Sequence, residues 1–142
     1  MIPQAKRRKT PALSTETYAV LGYGSQGRAL AKNLRDSSSA VIIGLPGKSK
    51  SRRRAGSDGF NSITTVSRAV QSATAIIFAF PDHLHQRVFK KDITPHLRDS
   101  QALIFLHGMS VHFNLITPPM DVDVMLLAPH GPGLAVREKY LS

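Results

Sequence analysis

Short apolar runs alternate along this chain with segments of helical periodicity, and this alternation constrains the fold more than any other feature. The runs are TYAVLG, AVIIG, AIIFAF, ALIFL and VDVMLLA, which start at residues 17, 40, 75, 102 and 122. Strands that are buried on both faces of a parallel sheet are apolar throughout. Strand and helix in turn are typical of βαβ units. The sequence therefore predicts an α/β fold with an open, doubly wound and mostly parallel sheet.

The segments between the runs carry helix signals. Residues 25–36 have apolar side chains at helical spacing, followed by the stop signal SSS. Thr65 can cap a helix that begins after it, and a further helix is predicted at about 84–91. We assign residues 18–142 to one domain and residues 1–17 to a flexible basic tail.

Composition excludes several classes of protein. The 142 residues include no cysteine, which excludes a disulfide framework, a thiolate zinc site and a cysteine nucleophile. The longest apolar run has seven residues, too few to span a bilayer. Lys and Arg number 19 against 9 Asp and Glu, with basic clusters at 6–9 and in a predicted loop at 48–54. This balance implies an anionic partner.

A glycine-rich turn connects the first run to the first helix. Gly22, Gly24 and Gly27 have the spacing GxGxxG. In dinucleotide-binding sheets the first glycine permits a tight turn, the second lets a pyrophosphate approach, and the third allows close packing of helix on strand. The phosphates would sit at the helix N-terminus, where free N–H groups and the helix dipole favour an anion. The turn therefore predicts dinucleotide binding by a Rossmann-type domain.

The second basic cluster follows the second apolar run. NAD-binding domains usually place Asp or Glu at this point for the ribose hydroxyls, but residues 44–56 contain no carboxylate. The segment instead contains Lys48, Ser49, Lys50, Ser51 and Arg52. Cations and hydroxyl donors suit a 2′-phosphate, which a carboxylate would repel. We therefore predict NADP(H) as the cofactor and assign Arg53 and Arg54 to the plain surface.

Several motifs together resemble one enzyme family. GYGSQGRALAKNLRDS, GLPGKSKS, FPDHLHQRVF, HGMSVHF, PPMDVDVMLLAPHGPG and VREKY occur in the order and at the spacings of the NADP-binding domain of ketol-acid reductoisomerase, also called acetohydroxy acid isomeroreductase. The resemblance covers about residues 18–142. It implies an oxidoreductase that isomerises a 2-acetohydroxy acid with Mg²⁺ and reduces the product with NADPH. This reaction belongs to branched-chain amino acid biosynthesis, which supplies isoleucine and valine.

The resemblance also implies site residues. His107 matches the catalytic histidine, and it follows the ALIFL run at the strand end where ligands of open α/β sheets bind. The glycine spacing, the basic cluster and the family match together predict the cofactor contacts Gly22, Tyr23, Gly24, Ser25, Gln26, Gly27, Lys48, Ser49, Ser51, Asp82, His83, Leu84, His85 and Gly133.

Three features depart from the family pattern. Pro46 stands where the family usually has a basic residue, so Lys48 or Lys50 would have to substitute for it. The PDHLH segment has two histidines in place of the usual acid and glutamine. His130 replaces a lysine that lies close to the reacting groups, and a histidine is shorter and can be neutral at pH 7.

The family's two Mg²⁺ ions are held by carboxylates of a C-terminal helical, knotted domain that is absent from these 142 residues. Beyond His107 the chain has only Asp121, Asp123 and Glu138. They are too few and too scattered for two hard cations that each need about six oxygens. We therefore assign no metal ligand and expect an incomplete active site, with Mg²⁺ supplied only through that missing domain.

Two other functions stay open. One is a non-catalytic NADP-binding module or gene remnant. The other is a nucleic-acid-associated basic protein, although the lack of aromatic residues near either basic cluster argues against nucleic acid. A 2-acetohydroxy acid is the expected substrate once a metal-binding domain completes the site. A homo-oligomer stays open, no membrane partner is expected, and the expected location is the cytoplasm or an organelle stroma.

Overall fold

A six-stranded sheet forms the centre of the molecule. A computed structural model describes residues 16–142, and every neighbouring pair of strands in its sheet is parallel. The strands are β1 (Thr17–Leu21), β2 (Ala40–Gly44), β3 (Ile63–Thr64), β4 (Ala75–Phe78), β5 (Ala102–Phe105) and β6 (Asp123–Leu126). Their order across the sheet is β3-β2-β1-β4-β5-β6, so β1 and β4 are the central pair. The predicted α/β fold with a doubly wound, parallel sheet is confirmed.

Helical segments connect the strands. They are α1 (Ser25–Asp36), α2 (Ser51–Ser57), α3 (Val66–Ser72), α4 (His85–Val88), α5 (Met109–His112) and α6 (Gly133–Leu141). A 3₁₀ turn at Asp82–Leu84 precedes α4, and a π-helical turn at Phe89–Ile93 and a 3₁₀ turn at Thr94–His96 follow it. None of the helices in residues 16–142 is long and apolar enough to cross a membrane.

Apolar side chains alternate between the two faces of the sheet, which explains why the strands are apolar throughout. On β1, Ala19 and Leu21 pack on the face covered by α3. Tyr18 and Val20 pack on the opposite face, against α1 and α2. Since both faces are covered, burial of apolar surface holds the central strands from two sides.

Several sequence predictions match the structure, and others differ. The bounds of α1 and β2 are as predicted, and the Thr65 hydroxyl caps α3 by accepting from the Arg68 N–H. The prediction of a loop at 48–54 is wrong in its second half, because α2 begins at Ser51. The helix predicted at about 84–91 is a succession of 3₁₀, α and π turns.

The N-terminal boundary differs slightly from the predicted one. Strand β1 begins at Thr17, and the Thr74 hydroxyl donates to the Glu16 carboxylate. Both residues therefore belong to the folded domain and not to the tail. Residues 1–15, including the basic cluster at 6–9, lie outside the described residues.

Strand β6 forms an open edge of the sheet. Within residues 16–142 it pairs with β5 alone. Val124, Met125 and Leu126 are 46%, 49% and 62% exposed, so apolar side chains face solvent on both sides of the strand.

Candidate functional site

The glycine-rich turn lies between the carboxyl end of β1 and the first turn of α1. Gly22 has φ +100°, which side chains disfavour, and its N–H donates to Gly44 O at 3.1 Å. A Cβ on Gly22 would lie 2.4 Å from Ala79 O, and one on Gly27 would lie 2.6 Å from Gly22 O. A Cβ on Gly24 would meet no atom within 4 Å. The outer glycines thus permit close backbone contacts, whereas the middle one borders open space.

Helix α1 begins at this open space without a cap. Gly24 is the N-cap residue, no side chain caps the helix, and its first turn contains no acidic residue. The first-turn N–H groups of a helix have no partners within the helix. They therefore offer donors to an anion in the space above Gly24, with the helix dipole adding to the attraction.

A pocket of about 310 Å³ adjoins the start of α1. It is bordered by Gly24, Ser25 and Gln26 from the turn, by Phe80 and Asp82 after β4, and by His107 after β5. The carboxyl ends of β1, β4 and β5 therefore meet around one cavity, as expected for a ligand site in an open α/β sheet.

Tyr23 is directed away from this pocket. Its side chain is buried, its ring meets Phe60 edge-on at 5.8 Å, and its hydroxyl donates to Asp58 Oδ2 at 2.9 Å. Burial and the hydrogen bond to the carboxylate raise the pKa of the Tyr23 hydroxyl. Tyr23 was predicted as a cofactor contact, but it can present only its backbone to the pocket side of the turn.

Asp58 connects α1 to the end of α2 and is not among the residues predicted from the sequence. It accepts from Arg28 Nε at 2.6 Å and Arg28 Nη2 at 2.9 Å, and Lys32 Nζ lies 3.1 Å from Oδ1. The hydrogen bonds from Arg28, followed by those from Tyr23 and Lys32, hold its pKa well below the usual range. The signal was available on α1, where Arg28, Lys32 and Arg35 recur at helical spacing and predict a facing anionic group.

The segment predicted to bind a 2′-phosphate runs from the carboxyl end of β2 into α2. Lys48 and Lys50 are exposed, and Ser49 and Ser51 are half-buried. The Ser51 N–H donates to Ser49 Oγ at 3.3 Å, so the Ser49 hydroxyl proton stays free to donate elsewhere. The guanidinium of Arg52, in contrast, donates to three backbone carbonyls.

The segment after β4 divides into two parts. Asp82 borders the pocket, and His83 and Leu84 complete its 3₁₀ turn without bordering that pocket. His85 is fully buried: its Nε2 lies 3.0 Å from Phe80 O and its Nδ1 lies 2.8 Å from Ser110 Oγ.

Burial lowers the pKa of His85, so its ring is neutral near pH 7. Because Phe80 O can only accept, Nε2 carries the proton and Nδ1 accepts from the Ser110 hydroxyl. The side chain of His85 therefore joins α4 to the segment after β4 and to α5, and it does not face the pocket.

His107 and Gly133 occupy different sides of the turn. His107 is exposed at the carboxyl end of β5 and borders the pocket. Gly133 begins α6 and packs against α1, because a Cβ there would lie 2.1 Å from Ser25 O. Gln26 Nε2 donates to Gly131 O at 2.7 Å, while its buried Oε1 has no partner. His130, just before this contact, is exposed.

No metal site accompanies the pocket in the described part of the chain. Residues 16–142 contain no group of three or more His, Cys, Asp or Glu side chains placed to hold a metal ion. Asp121, Asp123 and Glu138 are all exposed. The side chains present here do not fit a pair of Mg²⁺ ions.

The chain is similar in sequence to curated ketol-acid reductoisomerases. The chain is 47% identical to the ketol-acid reductoisomerase (NADP(+)) of Sulfurisphaera tokodaii over 128 residues, and 46% identical to that of Pyrococcus abyssi over 130 residues. It is 50% identical to the enzyme of Petrotoga mobilis over 130 residues. These matches cover 90% to 92% of this chain but only 38% to 39% of the relatives, so the chain spans about two-fifths of their length.

Solved structures agree with this result. An NADH-preferring ketol-acid reductoisomerase from an uncultured archaeon superposes with a TM-score of 0.87 at 36% identity, over 91% of this chain and 40% of that one. A semialdehyde dehydrogenase NAD-binding protein from Cupriavidus necator, with a TM-score of 0.70 at 22% identity over 81% of this chain and 41% of that one, shares the fold. The family model described as the acetohydroxy acid isomeroreductase NADPH-binding domain matches residues 12–142. With the relatives above, that match shows that the chain belongs to the acetohydroxy acid isomeroreductase family, as its NADPH-binding domain.

Proposed function

We propose that this chain binds NADP(H) across the carboxyl ends of β1, β2 and β4. The observation that carries the proposal is the uncapped start of α1 at Gly24, which faces open space beside a pocket of about 310 Å³. The pyrophosphate would take the first-turn N–H groups of α1. The family membership and the curated relatives named for NADP(+) support the same cofactor.

The preference for NADPH over NADH is proposed from the segment after β2. Lys48 supplies an exposed positive charge, and the Ser49 hydroxyl is free to donate to a phosphate oxygen. The nearest carboxylate along the chain, Asp58, is already occupied by Arg28, Lys32 and Tyr23. The segment is therefore suited to attract a 2′-phosphate, in contrast to the archaeal neighbour, which is named as NADH-preferring.

His107 is the proposed catalytic residue of the whole enzyme. It borders the same pocket as Gly24 and Asp82, where an imidazole can transfer a proton to or from an oxygen of the substrate. NADPH, when bound, supplies the hydride that reduces a 2-ketoacid. The proposed substrate is a 2-acetohydroxy acid, the class that the family resemblance implies.

The isomerisation requires carboxylates that the described residues do not bring together. Because residues 16–142 hold no metal-ligand cluster, we propose that the metal-dependent step needs a part that corresponds to the other three-fifths of the relatives. The same observation favours a second candidate function, in which this chain alone binds cofactor without turnover.

Titration of NADPH and NADH, followed by nicotinamide fluorescence, tests the cofactor assignment. We expect NADPH to bind the wild-type chain at least about tenfold more tightly than NADH, because an added ion pair with a phosphate contributes about 1.4 kcal/mol or more. Ser51→Asp should remove this preference by placing a negative charge beside the phosphate. Ser72→Asp is the matched control, since it adds the same charge at the exposed end of α3. Equal affinity of the wild type for both cofactors would refute the 2′-phosphate assignment.

A further inference from the structure

Arg52, in the first turn of α2, holds three backbone carbonyls with one side chain. Its Nε donates to Pro46 O at 3.0 Å, and its Nη2 donates to Leu45 O and to Thr64 O, each at 3.0 Å. The three acceptors come from the ends of β2 and β3 and from the loop between β2 and α2. A planar guanidinium with several donors in a fixed fork can make such a set of bonds, whereas an ammonium group cannot reproduce its geometry.

Two of these carbonyls also shape the loop that carries Ser49. Pro46 O accepts from the Ser49 N–H at 3.0 Å as well as from Arg52, and Thr64 O accepts from the Leu45 N–H at 3.0 Å. The Arg52 N–H in turn donates to Ser49 O at 3.2 Å. Arg52 therefore contacts the loop at both of its ends and ties it to Thr64, the last residue of β3.

We propose that Arg52 is a positioning residue for the loop at 48–51, and that it sets cofactor specificity by holding this loop in its binding conformation. The inference rests on the proposed function, in which Lys48, Ser49 and Ser51 receive the 2′-phosphate. A loop that is already ordered loses less conformational freedom when the ligand binds, so affinity rises without a direct contact. NADH lacks the 2′-phosphate and gains nothing from this order.

A direct role of Arg52 as a phosphate ligand makes a different prediction. If the positive charge alone mattered, a lysine would retain most of the affinity. If the fork to the carbonyls matters, lysine fails almost as completely as glutamine. Arg53 is the matched control, because it is the next residue of the same helix, carries the same charge and is exposed.

The experiment compares the wild type with Arg52→Lys, Arg52→Gln and Arg53→Gln. We expect both Arg52 variants to bind NADPH about tenfold more weakly and NADH within about twofold of the wild type, with Arg53→Gln within about twofold for both cofactors. Full NADPH affinity in Arg52→Lys, or an equal loss of NADPH and NADH affinity in both Arg52 variants, would overturn the proposal.

Hydrogen exchange without cofactor provides a readout that does not depend on binding. The Ser49 N–H donates to Pro46 O, the carbonyl that Arg52 also holds, so it should exchange at least about tenfold faster in Arg52→Lys. The Ala69 N–H, which donates to Thr65 O in α3, should be unchanged and shows that the variant is folded. Unchanged exchange at Ser49 refutes the positioning role. If the Ser49 N–H exchanges faster in Arg52→Lys but the wild type does not bind NADPH, the proposed function is refuted. The role of Arg52 in holding the loop then still stands.

Discussion

Asp58 is the carboxylate whose removal should most disturb the packing of α2 against α1. Asp58→Asn keeps the shape of the side chain but removes its charge. Arg28 donates to both carboxylate oxygens, so the new amide N–H₂ faces an Arg28 donor in either orientation, and it also faces Lys32 when it takes the place of Oδ1. The Tyr23 hydroxyl, which donates to Oδ2, keeps its acceptor only when the amide oxygen takes that place.

The expected loss in the free energy of unfolding follows from how far Asp58 and Arg28 are buried. The Asp58 side chain is 11% exposed, whereas that of Arg28 is 45% exposed, so water replaces part of what Arg28 loses. A hydrogen bond to a charged group contributes about 1.5–3 kcal/mol, and this solvent exposure keeps the total near the lower part of that range. We expect the free energy of unfolding to fall by about 2 kcal/mol, which lowers Tm by roughly 8 °C for a domain of this size.

The pH dependence of unfolding provides the sharper assay. Because the pKa of Asp58 is lowered by folding from 3.8, its ionised form stabilises the folded state above that pH, and the contribution is lost as the pH falls below it. Urea unfolding should therefore separate the wild type from Asp58→Asn at pH 7, and the difference should shrink progressively as the pH falls below 3.8. A difference below about 0.5 kcal/mol at pH 7 refutes this reasoning, and so does a difference that persists unchanged in acid.

Asp36→Asn is the matched control for this measurement. Asp36 is the last residue of α1 and pairs with Arg35 at 3.2 Å and with Arg137, but it is 32% exposed. An ion pair at such a site contributes less than about 1 kcal/mol. A loss in Asp36→Asn as large as that in Asp58→Asn would show that burial is not the cause.

Two further predictions concern the start of α6 and the pocket. Gly133→Ala should destabilise the domain by about 2 kcal/mol or more and speed hydrogen exchange in α6, because its methyl would lie 2.1 Å from Ser25 O. In Gly131→Ala the added methyl meets its nearest atom at 3.7 Å, so neither effect is expected. Equal effects of the two substitutions would contradict the packing argument. His107→Gln should leave NADPH affinity within about twofold of the wild type. It should abolish isomerisation of a 2-acetohydroxy acid when the remaining part of a relative is fused to the chain. Retained isomerisation would exclude the proposed catalytic role.

The sequence was sufficient wherever a local signal and the tertiary contacts agree. Helix α1 has its predicted bounds because GSQG starts it and SSS follows it, and Thr65 caps α3 because its side chain is placed for this bond. Helix α2 was missed because Ala55 is its one buried residue, so it has no apolar stripe that a periodicity search can find. Strand β3 has two residues, too few to show alternation.

The candidate site was predictable in its backbone and less so in its side chains. The glycine spacing identified the turn, the start of α1 and the strand ends that border the pocket. Sequence alone could not show that Tyr23 and His85 turn inward, because their partners Asp58 and Ser110 lie 35 and 25 residues away. Arg52 was grouped with the phosphate ligands for its charge, since the three carbonyls that it holds become neighbours only when β2 and β3 pair.

Strand β6 has a consequence for how copies of this protein meet one another. Within residues 16–142 the outer edge of β6 pairs with no other strand, and an edge of this kind with apolar side chains on both faces is a template on which a further strand can assemble. Two copies approach that edge against the repulsion of a formal net charge of +10, which acts over about 10 Å at 0.1 M salt and about 3 Å at 1 M. The excess of Lys and Arg thus has a second effect besides attracting an anionic cofactor. The repulsion between positively charged copies opposes their association at the open edge, and concentrated salt screens this repulsion.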